Sequence, residues 1–512
     1  MRKSNSLKNF ITSTIPFVIL IFLGFWKVNV WQNSLDEDVY ALNQLFFQIF
    51  AYLSLAEAGI GSLVQKEYYK LFVTDDREKI CIFYTLSKKM LRMVCFVIIG
   101  IGFVLSFFLP LLANDNDLSA QYMQKIFILF LAKSLVEYFM FSPRFVLQAD
   151  QKTYKMNVQM NLYKIAEGLM EILLIKYGMA FETVLIISFF LRIVMNLHLN
   201  RIVFKEYPWL HVVKDTQGLK ISGMQHVFIY KIVSVIYENV DVLLISTFVN
   251  PISVIIYSNY KYITKYLSDF IYMIGSSLTS SLGNLLYSDE EREESFYTYE
   301  MINTMFYFIA CFLTIALAYC MNSFIIIWVG KDKLFDTLSL VCILFLFFHG
   351  VVRRPQYILK DIFALYKELQ IVSVAEAVIN LLLSFMLVKK YGIRGVLVAT
   401  VIATLLTNFW YFPFYLYKKV FARKPWLDIV KYIAVSVCVV VITVISYLVL
   451  PSISSANYIL WFLNSCLYSV AVLLLLSAIF WSSFKSFRRL VVQCIEMLTG
   501  FLRRRKENES AC

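Results

Sequence analysis

Apolar stretches of about twenty residues or more, interrupted by short charged loops, succeed one another along almost the whole chain. A window of about 19 residues separates fourteen of them: 10–30, 40–64, 91–112, 126–147, 157–176, 183–204, 226–249, 252–277, 302–328, 337–359, 365–388, 395–417, 426–450 and 458–480. At about 1.5 Å of rise per residue, helices of these lengths match or exceed the roughly 30 Å hydrocarbon core of a bilayer. The pattern therefore predicts an all-α polytopic membrane protein.

Within these spans the polar positions are not scattered. In 40–64, Asn43, Ser54, Glu57 and Gly61 share one helical face with Phe50. The seventh span aligns Lys231, Ser234, Glu238 and Asp241, and the eighth aligns Lys261, Lys265, Asp269, Tyr272 and Ser276. The fourth carries Lys133, Glu137 and Arg144, the fifth Asn157, Lys164, Glu167 and Glu171, and the sixth Arg192 and Asn196. In the tenth, His349 lies one turn from Arg353, and in the eleventh Ser373, Glu376, Asn380 and Ser384 align. An ionised group within a span costs at least a few kcal/mol unless it is paired or wetted, so such stripes avoid lipid. Two readings compete: many separate salt bridges between packed helices, or a hydrated cavity between two lobes. Recurrence in both halves favours the cavity.

Composition agrees with the spans: 60% of residues are hydrophobic and 16% charged, with a mean hydropathy of +0.68. The formal charge of +13 does not point to nucleic acid, because the basic residues sit mostly in short loops and act on topology. Counting the loops places both termini on the basic, cytoplasmic side. Lys331, Lys333, Lys389, Lys390 and Arg394 break the rule. The first span reads as an uncleaved anchor. The nine cysteines show no CxxC spacing and the four histidines no ligand spacing, so neither a metal site nor a disulfide framework is expected.

An internal repeat is the next signal. PRFVLQAD at 143–150 resembles PQYILKDI at 355–362, an offset of 212. Ala166-Glu167 matches Ala375-Glu376, Lys176-Tyr177-Gly178 matches Lys390-Tyr391-Gly392, and Asn196 matches Asn408, at offsets of 209, 214 and 212. Six spans separate the copies, so the two six-helix lobes are expected to share an orientation, related by a pseudo-two-fold along the membrane normal. Expected boundaries are a lobe at 1–205, a cytoplasmic linker at 206–225, a second lobe at 226–420, an accessory pair at 426–482 and a basic amphipathic tail at 483–512. The accessory pair carries only Lys431 between 429 and 480, and is expected to lie outside the core without a stripe to hide. The tail reads as an interfacial helix on anionic lipid. Pro16 and Pro355 are candidate kinks.

The run LNQLFFQIFAYLSLAEAGIGSLV at 42–64 resembles the second helix of bacterial polysaccharide (O-antigen or capsule) repeat-unit flippases. That family lies in the multidrug/oligosaccharidyl-lipid/polysaccharide exporter superfamily, with the MATE antiporters and lipid II flippases. VLQADQKTYK at 146–155, NVDVLLISTFVNPISVIIYSNYKY at 239–262 and FIIIWVGKD at 324–332 are similar to family segments as well. Before the second helix, Leu35-Asp36 and Tyr40-Ala41-Leu42-Asn43 depart from the family's Leu-Gly and Tyr-Gly-Leu-Asn. The resemblance implies a non-enzymatic, MATE-like transporter in the bacterial inner membrane. It would flip an undecaprenyl-diphosphate-linked oligosaccharide to the outer leaflet by alternating access, with membrane lipids and other polysaccharide assembly proteins as further partners. No cofactor is implied beyond a coupling H+ or Na+.

For that substrate the candidate ligands are Lys133, Arg144, Arg192, Lys231, Lys265, Arg353, Asn43 and Glu57, with Lys133 and Lys265 ranked first for depth. Glu167, Glu238, Asp241, Asp269 and Glu376 are candidates for ion pairs or for the coupling ion. A cation-coupled drug antiporter, a lipid II flippase and a membrane polysaccharide polymerase or ligase are the alternatives. The first helix lacks the acid expected of an antiporter, and no outer loop is long or contains the histidine expected of a polymerase.

Overall fold

The computed structural model describes residues 2–53, 68, 71–72, 76–113, 117–150, 152, 154–214, 239–287, 292–363, 365–451, 457–493 and 495–496. Sixteen α-helices are numbered here, and no strand lies among the described residues. They are α1 (Arg2–Ser34), α2 (Glu37–Leu53), α3 (Arg77–Ser106), α4 (Leu109–Leu112), α5 (Ala120–Met140), α6 (Ser142–Ala149), α7 (Tyr154–Lys176) and α8 (Phe181–Glu206). There follow α9 (Pro251–Tyr287), α10 (Arg292–Val329), α11 (Thr337–Val352), α12 (Arg354–Ile362), α13 (Tyr366–Leu406), α14 (Asn408–Phe421), α15 (Trp426–Val449) and α16 (Tyr458–Ser483). Every expected span falls on helix in its described part, including the short helix Asn239–Phe248 within the seventh.

Six described helices are long and apolar enough to cross a membrane alone, and two bent pairs pass the same test together. Side-chain caps mark several helix starts: Asp76 accepts from Lys79 N, Ser119 from Tyr122 N, Asp336 from Leu338 N and Ser339 N, and Asn457 from Leu460 N.

The repeat is written in the backbone. α5 and α6 meet at 50°, and α11 and α12 at 42°. In each pair the second helix starts with proline, Pro143 or Pro355, which removes an N–H from the ladder and clashes with the preceding turn. The kink expected at Pro355 is present, whereas Pro16 lies inside the continuous helix α1. The second landmark is a glycine in the left-handed region, Gly178 with φ 74° and Gly392 with φ 55°. Gly178 ends the turn after α7. Gly392 breaks α13 into two helices, in keeping with the sequence's division there.

Two compact units result. The first holds Met1–Ser258 and Leu381–Val396, the second Asn259–Asn380 and Leu397–Cys512. In the first, α1 lies along α7, and α5 against both α8 and α3. In the second, α10 is the central helix, contacted by α11, α15 and α16. The last two helices do have a packing stripe, contrary to expectation. It is apolar and therefore invisible to a search for charge: Ile429, Tyr432, Val435, Val439 and Ile442 on α15, and Tyr468, Val472, Leu476 and Phe480 on α16. These residues recur at three- and four-residue steps and build the second unit's core with Phe306, Cys311 and Ile315 of α10. The tail begins there too, with buried Phe487 ring-to-ring against Phe308 at 5.0 Å.

Candidate functional site

In the first unit the stripes of the fourth, fifth and sixth spans converge into one buried ionic cluster. Glu171 of α7 accepts from Lys133 of α5 at 2.5 Å, from Ser188 of α8 at 2.9 Å, and from Lys27 of α1. One turn away, Glu167 takes Lys133 at 3.1 Å and Arg192 Nε at 2.9 Å. Lys133 and Glu171 are buried, whereas the side chains of Lys27 and Arg192 are each 27% exposed. Beside them Arg144, buried at the start of α6, donates to Asn196. Lys133 is thus committed to two carboxylates of its own unit. Asn43 is buried in α2, and Asp241 accepts from Tyr257 OH at 2.6 Å.

The second unit repeats this geometry with different chemistry. Glu376, the counterpart of Glu167, accepts from Thr404 Oγ1 at 2.8 Å and from Asn408. Thr404 stands 212 residues after Arg192 and Asn408 212 after Asn196. Asn380 donates to Thr400 at 2.9 Å, the pair that answers to Glu171 and Ser188. Where the first unit has Lys133, the second has Phe345. One scaffold therefore carries an ionic cluster in one copy and a largely neutral polar one in the other.

Arg353 lies at the break between α11 and α12, 2% exposed, and pairs with the fully buried carboxylate of Asp428 at 2.9 Å. It serves the second unit's interior. Its neighbour Arg354 turns the other way and lies 3.8 Å from the centre of the Tyr272 ring on α9. There the eighth span's stripe is open: the side chain of Lys265 is 62% exposed and that of Asp269 45%, only loosely paired at 3.4 Å, and Tyr272 is 55% exposed. Lys265 and Asp269 are exposed near the middle of the predicted span, and Tyr272, with Arg354 over its ring, lies two turns further along α9. Glu57, Lys231 and Glu238 lie outside the described residues.

Sequence reasoning passed over Lys27, Ser188, Arg354 and Asp428. Lys27 lies in the last turn of the expected span 10–30, but α1 runs on to Ser34 and holds it against Glu171 of α7. Asp428 lies in the first turn of its span, where an acid usually meets water. No group of His, Cys, Asp and Glu among the described residues is arranged to hold a metal ion.

No family model matches the sequence, and no curated protein matches it in sequence. Solved structures do match in shape. Over 93% of this chain and 98% of the other, it superposes on the lipid II flippase MurJ with a TM-score of 0.67 at 16% identity. The two chains share a fold. A MATE transporter in the bent conformation matches with a TM-score of 0.52 at 13% identity, over 85% of this chain and 96% of that one. An inward-facing multidrug resistance MATE transporter of the MOP superfamily gives 0.51 at 15%, over 75% and 91%. Likeness at such identities fixes the fold alone. The chain is a multi-pass membrane protein that shares this fold.

Proposed function

We propose that this chain flips a polyprenyl-diphosphate-linked oligosaccharide from the cytoplasmic to the outer leaflet of a bacterial inner membrane, by alternating access, for surface polysaccharide assembly. The observation that carries the reading is the open face of α9. Lys265 stands about 21 Å along the helix from Pro251, taking 1.5 Å per residue, near the middle of the expected span. A charge exposed at that depth requires water, because lipid would not tolerate it. The Lys265 ammonium suits a phosphate, and the Arg354 guanidinium two turns further along α9 adds a second cation, while the carboxylate of Asp269 and the ring of Tyr272 suit sugar hydroxyls and ring faces.

The likeness to a lipid II flippase supports a lipid-linked cargo, and the segments shared with repeat-unit flippases favour an oligosaccharide one. Export of organic cations, the second reading, draws on the likeness to MATE structures, but it calls for an exposed face dominated by acids, whereas α9 presents Lys265 with a single acid, Asp269, and Arg354 further along. The test is reconstitution of the full chain in liposomes with a fluorescent polyprenyl-diphosphate oligosaccharide, scoring its arrival in the opposite leaflet. Wild type should transport, and Lys265→Ala should lose at least tenfold in rate at unchanged protein level. Wild-type rates in Lys265→Ala would remove this face from the site.

A further inference from the structure

Asp428 heads α15, the helix that the sequence marks as accessory, yet its carboxylate gathers four side-chain donors from α10, α12 and the break before α12. Oδ2 accepts from Arg353 Nη1 at 2.9 Å and from Gln356 Nε2 at 3.3 Å, and Oδ1 from Asn303 Nδ2 at 3.0 Å and Tyr307 OH at 3.1 Å. Its place in the first turn adds the favourable end of the helix dipole. Arg353 is held from its other sides as well. Nη2 donates to the Phe409 carbonyl at 3.1 Å, and the guanidinium lies 5.0 Å from the Tyr432 ring and 5.5 Å from that of Phe409.

Arg353 caps both α11 and α12, so it is the residue at which the chain bends. Fixing it fixes the direction in which the next residue leaves. Arg354 passes over Gly275, where a β-carbon would come within 3.1 Å of Arg354 Nε and 3.2 Å of its Cγ, and ends on Tyr272. We propose that Asp428 is a positioning residue: by pinning Arg353 at the helix break it aims Arg354 onto Tyr272 at the open face of α9. The helix pair 426–483 is then a brace for the headgroup site. The consequence for transport rests on reading that face as the site, but the positioning can be measured without any substrate.

The first measurement is disulfide formation in the full-length protein carrying Gly275→Cys with Arg354→Cys, two positions where a β-carbon on 275 would lie 3.2 Å from Arg354 Cγ, oxidised in nanodiscs and quantified by peptide mass spectrometry. Asp428→Asn should slow this cross-link at least fivefold. Val472→Ala loosens the packing of α16 without touching Asp428, and should leave the rate within twofold. An unchanged rate in Asp428→Asn, or an equal loss in both variants, overturns the proposal, because Asp428 would then merely attach α15. The second measurement is transport in liposomes by Asp428→Asn, Arg354→Ala and the double variant, all with native cysteines. Each single change should raise KM about tenfold with kcat nearly unchanged, and the double should be no worse than either. If the cross-link slows but Arg354→Ala transports normally, the positioning stands and the assignment of the α9 face falls. If Arg354→Ala raises KM and Asp428→Asn does not, the proposal is overturned.

Discussion

The buried ionic cluster of the first unit makes a quantitative prediction. Glu171→Gln keeps the shape of the side chain and removes its charge, leaving Lys27 and Lys133 to share one amide oxygen. Removing one partner of a buried pair costs about 3–5 kcal/mol. Lys133 retains Glu167 at 3.1 Å, and Lys27 is partly exposed and lies 4.2 Å from the centre of the Trp31 ring, so the expected cost is at the lower end, about 3 kcal/mol. For a unit of this size that corresponds to a fall in Tm of about 6–10 °C. The assay is thermal unfolding of the purified protein with a thiol-reactive dye, since Cys81 and Cys95 are buried and report the opening of this unit. Asn380→Ala, which breaks the neutral counterpart in the second unit, should cost only about 1 kcal/mol, one ordinary hydrogen bond. Adding Lys133→Met to Glu171→Leu should recover part of the loss, since an apolar pair replaces a desolvated ionic one. If Glu171→Gln melts no lower than Asn380→Ala, the cluster is solvated and the reasoning fails.

The two lysines ranked first by sequence should separate. Lys265→Ala should leave Tm within about 2 °C, because an exposed i,i+4 pair contributes under about 1 kcal/mol, and should affect transport alone. Lys133→Ala should lower Tm by several degrees, because it removes the buried cation that Glu171 and Glu167 share; equal melting of the two variants would contradict this. Gly178→Ala and Gly392→Ala should each cost about 1–2 kcal/mol, the strain of a left-handed residue with a Cβ, and a neutral result at both would mean that the turns relax. A cysteine at Asp117 should react with an impermeant reagent from outside, and one at Lys152 only after permeabilisation. The reverse pattern would invert the expected orientation.

Much of this fold could be read from the sequence because two signals are strictly local. Apolar runs set the helices, and the Pro143/Pro355 and Gly178/Gly392 pairs mark where the backbone must depart from helix. Partner choice was less legible, because it depends on contacts between distant segments. Lys133 and Lys265 look alike in sequence, each on a polar face with an acid one turn away, yet one is enclosed by α7 and α8 while the other stands open. Arg353 and Arg354 are adjacent and end in opposite environments because the helix breaks between them. Asp428 was hidden by its position in a first turn. The apolar stripe of α15 and α16 differs from a lipid-facing surface only in what it packs against.

The ammonium groups of Lys27 and Lys133 reach the carboxylates of α7 as side chains rather than as dissolved ions. Counter-ions tethered to the backbone cannot be exchanged or diluted, so the folding of that half should be indifferent to whether sodium, potassium or choline fills the buffer. Any dependence of transport on the medium's cations would therefore originate outside this cluster.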